Sequence, residues 1–194
     1  MDASKRAIVV GIPGVGKTTV ITKAADSLNK NGVRANVVVF GTVMFEEAKK
    51  IGVKQRDELR KMPVGKQRKL QDIAAQRIAK MKDRVVMVDT HLFISTREGY
   101  YPGLPIQLLN ILKPTNFVMI AADPKEILNR RLIDKTRDRD IKTEDDIRHE
   151  LEIAKVMVAS CSILTGAPFT IVMNKDGKVD EAAGQIVTVL GDKK

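Results

Sequence analysis

Short apolar runs alternate along the chain with segments in which apolar residues recur at helical spacing. The runs lie at residues 8–10, 37–40, 85–88, 117–121 and 169–173. Strands that are apolar throughout and are joined by helices are typical of a parallel sheet covered by helices on both faces. The pattern therefore predicts an α/β fold with a central parallel sheet of about five strands. Ligands of such folds bind at the carboxyl ends of the strands, where Gly11, Gly41, Asp89 and Asn174 lie.

Two helices have clear boundary signals. After the fourth apolar run, Asp123 is a candidate cap, Pro124 suits the first turn, and Glu126 follows three residues after the cap. Residues 179–190 carry apolar side chains at 179, 182, 183, 186, 187 and 190, and Gly191 follows them. We predict a helix at each place, and we expect the second one to pack on the sheet.

Residues 11–18 read Gly-Ile-Pro-Gly-Val-Gly-Lys-Thr, a match to the whole G-x-x-x-x-G-K-[ST] pattern of a phosphate-binding loop. The loop follows the first apolar run and precedes a helical pattern, as this motif requires. Its glycines let successive main-chain N–H groups point at a phosphate. We expect Lys17 to contact the β and γ phosphates and Thr18 to offer its hydroxyl to Mg²⁺. The predicted nucleotide-binding residues are Gly11, Ile12, Pro13, Gly14, Val15, Gly16, Lys17, Thr18 and Thr19.

A carboxylate ends the third apolar run, because Asp89 follows four apolar residues. At the end of a core strand beside the phosphate loop, Asp89 would hold Mg²⁺ directly or through water, with Thr18 on the other side. The alternative is an ordinary aspartate that starts a turn. Two residues further on, His91 either orients a phosphate or Asp89, or is a polar loop residue.

Four arginines fall within ten positions, from Arg130 to Arg139. Guanidinium groups that converge on a transferring phosphoryl group stabilise its charge, so Arg130, Arg137 and Arg139 join Lys17 as candidate catalytic residues. The alternative is an exposed helix whose arginines pair with nearby aspartates. We expect such pairing at rest and a movement onto the nucleotide when the site closes.

Three further segments are candidates for substrate contacts. Residues 40–82 exceed a minimal crossover, and Gly41 with the cationic segment 56–61 suits a second anionic substrate, although a plain helical hairpin is the alternative. The Pro/Gly segment 99–105 is predicted as a stiff loop and a wall for a base, with Gln107 reading an amide-like edge, although turn chemistry alone accounts for it. After the last strand, Asn174 either contacts adenine or belongs to a plain turn.

The composition is that of one compact domain. The 194 residues are 43% hydrophobic and contain no repeat and no linker rich in serine and glycine. No apolar stretch is long enough to span a bilayer, and residues 1–6 show no signal pattern, so we expect a cytoplasmic protein that does not enter a membrane. The single cysteine, Cys161, lies in an apolar helical segment and is expected in the core.

The formal net charge of +10 has two interpretations. It suits a nucleic-acid-binding surface, and it also suits an enzyme that handles phosphates and has solvated basic helix faces. Aromatic residues make up only 4% of the chain, so few rings are available for stacking on bases. We therefore expect nucleic acid not to be the main partner.

These motifs together resemble the archaeal adenylate kinase family, one of the phosphate-loop nucleoside monophosphate kinases, over nearly the whole chain. Besides the phosphate loop, the resemblance rests on Phe-Gly-Thr-Val-Met at 40–44, Arg-Asp-Glu-Leu-Arg-Lys at 56–61, Val-Asp-Thr-His at 88–91, Gly-Tyr-Tyr-Pro-Gly-Leu-Pro at 99–105 and Thr-Arg-Asp-Arg-Asp at 136–140. It implies a three-layer phosphate-loop kinase fold and reversible transfer between MgATP and AMP to give two ADP. It also implies a homotrimer and a single domain, 1–194, with an AMP-binding helical insertion at about 41–80 and a short lid at about 134–142.

The resemblance assigns residues 11–19 to the ATP phosphates, Thr42 and Arg60 to the AMP side, and Arg137 and Arg139 to the lid. Together with Gly41 and Gln107, Thr42 and Arg60 form the predicted substrate-binding set. The Gly-Phe-Pro-Arg segment that follows the strand-end aspartate in bacterial relatives is absent here, and the short lid lacks zinc-binding cysteines. An AMP phosphate is largely ionised near neutral pH and needs no general base.

Two alternatives stay open at this point. A kinase of the same architecture could act on CMP, on UMP or on a hydroxyl acceptor, and a hydroxyl acceptor would need Asp89 as its base. An RNA- or ribosome-associated ATPase would use the basic surface and would bind RNA in a salt-sensitive way.

Overall fold

The computed structural model describes residues 4–96, 98–133 and 142–191. Within these ranges the strands are β1 (Lys5–Val10), β2 (Ala35–Val39), β3 (Val85–Asp89), β4 (Phe93–Thr96), β5 (Gly99–Pro102), β6 (Asn116–Ala121) and β7 (Phe169–Met173). The helices are α1 (Lys17–Lys30), α2 (Phe40–Lys49), α3 (Glu58–Lys61), α4 (Val64–Ala79), α5 (Ile106–Leu112), α6 (Pro124–Ile133), α7 (Glu144–Thr165) and α8 (Val179–Leu190).

A central parallel sheet of five strands in the order β2-β3-β1-β6-β7 is formed by the described residues. All four neighbouring pairs of strands are parallel. The α1 helix packs on α8, while α4 packs on α2 and α5, and α7 packs on α5 and α6. The sheet is thus flanked by helices in a three-layer α/β fold, as the sequence predicts.

Burial explains why the central strands are apolar throughout. Residues 7–10 of β1, 85–88 of β3 and 117–120 of β6 have no measurable exposure to solvent. Helices cover both faces of these strands, so both sets of alternating side chains must be apolar. At the edge of the sheet β7 instead exposes every second residue, namely Phe169, Ile171 and Met173.

Register brings three functional segments to the same edge of the sheet. Val9 of β1 and Val39 of β2 are both in register with Asp89 of β3. The phosphate loop follows β1, and α2 begins directly after β2. Asp89, the loop and the start of α2 therefore meet at the carboxyl edge.

The two helix predictions are confirmed. The last helix, α8, spans the predicted residues 179–190. The α6 helix begins at Pro124, and the Oδ1 atom of Asp123 accepts a hydrogen bond of 2.9 Å from the main-chain N–H of Lys125. Glu126 is not used in a reciprocal cap, because its carboxylate bonds Arg130 and the main-chain N–H of Asp176.

One local prediction is wrong, since segment 99–105 is not a loop throughout. Residues 99–102 form β5, which pairs antiparallel with β4 in a hairpin. The bend comes afterwards, where a Cβ atom at Gly103 would lie 2.2 Å from the carbonyl oxygen of His91. Proline and glycine suggested a turn, but pairing with β4, which has no strong strand pattern, decided the structure.

Cys161 is buried in the hydrophobic core, as predicted. Burial raises the pKa of its thiol, because the thiolate would lose its hydration there. Among the described helices, none has the length and apolar character to cross a membrane.

Candidate active site

The phosphate loop runs from the end of β1 to the start of α1, and its glycines are required by geometry. Gly14 and Gly16 have φ angles of 94° and 79°, in the left-handed region that side chains disfavour. At Gly11 a Cβ atom would lie 2.7 Å from the carbonyl oxygen of Ile120 in β6. The α1 helix begins at Lys17, so its positive end stands directly behind the loop.

A cleft of about 580 Å³ opens over this loop at the carboxyl edge of the sheet. It brings together many of the predicted site residues. Those that line it are Gly11, Ile12, Pro13, Gly14, Gly16, Lys17, Thr18, Thr19, Gly41, Asp89 and Arg130. Val15 belongs to the loop, but its side chain is buried in the core.

Lys17 and Asp89 form an ion pair in the floor of the cleft. Their side chains are only 11% and 10% exposed, so the two charges face each other largely away from water. The neighbouring Thr18 side chain is solvent-exposed and lines the same cleft. One carboxylate and one hydroxyl beside a phosphate loop fit Mg²⁺, which keeps several waters and takes its other ligands from substrate phosphates. No group of three or more metal-binding side chains occurs in the described part of the chain.

Arg130 of α6 lines the cleft, and its guanidinium is held from several sides. It donates from Nε to Asp176 over 2.9 Å and from Nη2 to Glu126 over 3.2 Å. It also donates to the carbonyl oxygens of Val15 and Asn174, at 3.4 and 3.0 Å. In this arrangement Arg130 ties α6 to the phosphate loop and to the turn after β7. Its carboxylate partners are Glu126 and Asp176, whereas the aspartates predicted to pair with these arginines lie outside the described residues.

The neighbouring Arg131 makes a second connection to the loop. Its Nε donates to the carbonyl oxygen of Pro13 over 2.8 Å, and its Nη2 donates to Glu150 of α7 over 3.2 Å. Glu150 is buried and also pairs with Lys142. Two cations compensate the charge of this buried carboxylate, as such burial requires.

The Asn174 side chain is bonded to the phosphate loop. Asn174 is only 6% exposed, and its Nδ2 donates a hydrogen bond of 2.8 Å to the carbonyl oxygen of Val15. The amide is thus used on the buried side of the phosphate loop. The structure thus shows the amide bonded to the phosphate loop, and the adenine contact suggested by the sequence stays a prediction.

On the other side of the cleft, Gly41 and Arg56 lie together. A Cβ atom at Gly41 would lie 2.5 Å from the Nη2 atom of Arg56, so this guanidinium is packed against the first turn of α2. Arg56 lines the cleft with Gly41. Thr42 and Gln107 are solvent-exposed and lie outside the part of the cleft wall that the described residues form. Gln107 lies in the first turn of α5 and is not among the described residues that line the cleft.

A second cleft of about 620 Å³ adjoins the first and shares Pro13, Gln71, His91 and Ile94 with it. It lies between α4, the β4–β5 hairpin and the start of α7. Tyr101 lines this second cleft. The Tyr100 ring instead packs edge-on against the ring of Phe93, with 4.9 Å between the ring centroids. The hairpin therefore forms a wall beside the phosphate site, although it is a pair of strands rather than a loop.

Three predicted residues lie outside what the structure describes. Arg137 and Arg139, with most of the predicted lid at 134–142, fall in the range that is not described, and so does the side chain of Arg60. Among the described residues, sequence reasoning assigned no individual site role to Arg56, Arg131 or Glu150. Arg56 belonged to a noted cationic segment, but Glu150 has no sequence signal, because its burial depends on helices packing together.

The chain matches a family model described as an AAA domain over residues 10–148. It is 43% identical to an adenylate kinase from Methanocaldococcus jannaschii, over 96% of this chain and 98% of that protein. It is 42% identical to an adenylate kinase from Pyrococcus horikoshii, over 94% of this chain and 93% of that protein.

Solved structures of similar fold include shikimate kinases. One from Acinetobacter baumannii, in complex with shikimate, matches with a TM-score of 0.63 at 19% identity, over 98% of this chain and 96% of that one. Another, from Bacteroides thetaiotaomicron, matches with a TM-score of 0.60 at 18% identity, over 97% of this chain and 99% of that one. At these identities the likeness concerns the fold alone.

Proposed function

The chain belongs to the adenylate kinase family, and from this premise we propose how its residues carry out phosphoryl transfer between ATP and AMP. It is a nucleoside monophosphate kinase, and it interconverts ATP and AMP with two ADP. The observation that carries the proposed mechanism is the cleft that places the phosphate loop, the Lys17–Asp89 pair and Arg56 around one space. Donor phosphates bind on the loop, and the acceptor approaches from the side of α2.

The donor phosphates are held by main-chain N–H groups of residues 11–19 and by the Lys17 ammonium group. The Lys17 ammonium group pairs with Asp89 in the cleft. When the triphosphate binds, the ammonium group contacts the β and γ phosphates, and its positive charge offsets the charge of the phosphoryl group in flight. The γ phosphorus passes from the β–γ bridging oxygen of ATP to an oxygen of the AMP phosphate.

Magnesium is the cofactor that this site suits. Thr18 and Asp89 would hold it, Thr18 through its hydroxyl and Asp89 directly or through a water, while substrate phosphates complete the ligand set. The ion supplies charge neutralisation on the β and γ phosphates when bound. Removal of the metal with EDTA is expected to stop transfer, and added Mg²⁺ is expected to restore it.

The acceptor side is formed by the helical insertion, at about 41–80, that follows β2. Gly41 allows the Arg56 guanidinium to lie against α2, where it faces the cleft and is available for the AMP phosphate. Thr42 and Arg60 are assigned to the same side on the strength of the family resemblance. An ionised phosphate is already a nucleophile, so orientation and charge neutralisation suffice, and Asp89 is not required as a base.

Further positive charge is supplied from the side of α6. Arg130 lines the cleft, and Arg137 and Arg139 belong to the short lid proposed at about 134–142. Closure of this lid would bring the lid arginines to the phosphates and exclude water, which otherwise competes with AMP as acceptor. Insertion, lid and core together form the single domain that we propose for residues 1–194.

We propose that the active form is a homotrimer in the cytoplasm, where ATP and AMP are available. The trimer follows from the family resemblance, and the exposed apolar side chains of Phe169, Ile171 and Met173 on the edge strand β7 support it. A row of such side chains on one face of an edge strand is typical of a surface that another chain covers. This proposal assigns no role in nucleic-acid binding to the basic surface.

The decisive experiment is an acceptor panel. Purified protein is incubated with MgATP and each nucleoside monophosphate or shikimate in turn, and products are separated by chromatography. We expect ADP to appear only with AMP, at twice the rate at which ATP is lost. Transfer to another acceptor would contradict the AMP assignment, and RNA-dependent ATP hydrolysis without transfer would contradict the kinase mechanism.

A further inference from the structure

Two carbonyl groups of the phosphate loop are held from outside the loop. The carbonyl oxygen of Val15 accepts hydrogen bonds from the Nδ2 atom of Asn174 at 2.8 Å and from Arg130 at 3.4 Å. The carbonyl oxygen of Pro13 accepts one from Arg131 at 2.8 Å. These contacts lie on the side of the loop that faces α6 and the turn after β7.

The direction of these carbonyls determines where the glycine N–H groups point. In a trans peptide the C=O of one residue and the N–H of the next point in opposite directions. The Val15–Gly16 and Pro13–Gly14 peptides are trans. Holding the carbonyls of Val15 and Pro13 toward α6 and the turn after β7 therefore aims the N–H groups of Gly16 and Gly14 toward the cleft, where phosphates bind.

Asn174 is the most firmly placed of the three donors. It is buried, and its main-chain N–H donates to the carbonyl oxygen of Ala121 in β6 over 2.7 Å. Its own carbonyl oxygen accepts from Arg130 at 3.0 Å. A Cβ atom at Gly16 would lie 2.4 Å from the Asn174 amide nitrogen, so glycine at 16 and asparagine at 174 fit each other sterically.

We propose that Asn174 is a positioning residue that sets the peptide orientation of the phosphate loop for triphosphate binding. It acts through the Val15 carbonyl and does not touch the nucleotide. The inference rests on the proposed nucleotide site, but not on the identity of the acceptor. This role differs from the base contact suggested by the sequence, and the test below distinguishes the two.

The test replaces the amide by an apolar group of similar size, Asn174→Leu. Without the Asn174 donor, the Val15 carbonyl keeps the longer hydrogen bond from Arg130, so the Val15–Gly16 peptide is held less firmly and its N–H group is less well preorganised. We expect the dissociation constants of ATP and of inorganic tripolyphosphate, both measured by calorimetry, to rise about tenfold. Tripolyphosphate carries no base, so it reports on the loop alone. The KM for AMP is expected to change less than about twofold.

Ser162→Ala is the matched control, because it also removes a hydrogen bond from a side chain to a main-chain carbonyl. The Ser162 hydroxyl donates to the carbonyl oxygen of Ala167 over 2.7 Å, near the carboxyl-terminal end of α7. This variant is expected to bind both ligands as the wild type does. If Asn174→Leu does not fold, Asn174→Asp serves instead, since an ionised carboxylate has the same shape and cannot donate to Val15.

Three results would overturn the inference. Weaker binding of ATP with unchanged binding of tripolyphosphate would mean that Asn174 serves the base. Unchanged binding of both ligands would mean that the loop keeps its geometry without the amide, and equal losses in Ser162→Ala would mean that general destabilisation is responsible. Because ligand binding is measured directly, the result stands apart from any failure of transfer to AMP.

Discussion

Lys17 and Asp89 are two oppositely charged side chains that compensate each other within the cleft. Each charge is largely removed from water. A triphosphate brings its own negative charge and a metal ion, so the lysine can turn to the phosphates while Asp89 keeps a cation nearby. The ion pair thus keeps both charged groups in the cleft, each with its charge balanced by the other.

Replacement of the Lys17 ammonium group by an apolar side chain of similar length, Lys17→Met, is expected to lower kcat for ADP formation by at least about a thousandfold. The reason is that Lys17 lies in the floor of the cleft, where the proposed mechanism uses its charge at the β and γ phosphates. Steady-state kinetics give the change in rate, and circular dichroism during heating shows whether the variant still unfolds cooperatively.

Lys23→Met is the matched control on the same helix. Lys23 is 42% exposed and pairs with Asp180 of α8, away from the cleft. It is expected to keep wild-type activity. A folded Lys17→Met variant that retained activity, or an equal loss in Lys23→Met, would contradict the role assigned to Lys17.

Cys161 permits a prediction about pH. Its raised pKa in the folded protein means that the thiolate fraction at pH 8 is smaller than in the unfolded chain. Alkylation by iodoacetamide at pH 8 should be at least about tenfold slower in buffer than in urea, and the rate in buffer should rise at higher pH than the rate in urea. Mass spectrometry after timed quenching measures both rates. Equal rates would show that the thiol is not buried in solution.

At the scale of elements, α7 begins with a reciprocal cap. The Thr143 hydroxyl accepts a hydrogen bond from the main-chain N–H of Asp146 at 3.1 Å, and the Asp146 carboxylate accepts from the main-chain N–H of Thr143 at 2.8 Å. This cap fixes where α7 starts after the undescribed segment 134–141. The α7 helix carries Glu150, which accepts a hydrogen bond from Arg131, and Arg131 also bonds the Pro13 carbonyl of the phosphate loop. The position at which α7 starts therefore affects this connection to the loop.

Thr143→Ala is expected to lower the free energy of unfolding by about 1 kcal/mol, because the main-chain N–H of Asp146 loses its acceptor and the Asp146 carboxylate loses the hydroxyl as a donor. Urea unfolding followed by circular dichroism measures this change. Thr188→Ala is the control within a helix, since the Thr188 hydroxyl bonds only the carbonyl of Gly184 four residues earlier. A loss in the control as large as in Thr143→Ala would contradict a specific role for the cap.

The same cap should respond to pH. Hydrogen bonds from the main-chain N–H and hydroxyl of Thr143 lower the pKa of Asp146 below its ordinary value of 3.8. A lowered pKa means that the stabilisation is complete above the unfolded value and is lost as pH falls through the folded value. The stability difference between wild type and Asp146→Asn should therefore be larger at pH 7 than at pH 3. An equal difference at the two pH values would contradict this.

At the scale of the whole molecule, the apolar side chains exposed on the edge strand β7 are the proposed contact surface between chains. Ile171→Lys places a charge in the centre of the apolar row on β7, and we expect it to reduce the proposed trimer to smaller species, because a charge is costly to bury in an interface. Light scattering after gel filtration should give three chains of 21.5 kDa for the wild type. Ile51→Lys, on a residue that is 62% exposed beyond α2, is the control and should stay trimeric. A monomeric wild type would contradict the proposal.

Several site residues could be predicted from the chain, and others could not. Lys17, Thr18 and Asp89 could be placed together because a motif and a strand end fix them relative to the backbone. Arg131 and Glu150 could not, since their contacts join residues 19 positions apart in sequence through the packing of α6 and α7. For Asn174 the strand-end position was predicted correctly, but the hydrogen bond from its amide to the Val15 carbonyl was not predicted.

The sequence by itself determined the alternation of strands and helices, the phosphate loop and the residues at the carboxyl edge, because these depend on local periodicity and on short motifs. Only the tertiary structure decided the strand order, the β4–β5 hairpin, the turn of Asn174 toward the buried side of the loop and the contact of Arg56 with Gly41. Each of these depends on groups that are distant in sequence and compete for the same space or the same hydrogen bond. Packing of the whole chain decides which group occupies the space or makes the hydrogen bond, and a local sequence pattern does not contain this information.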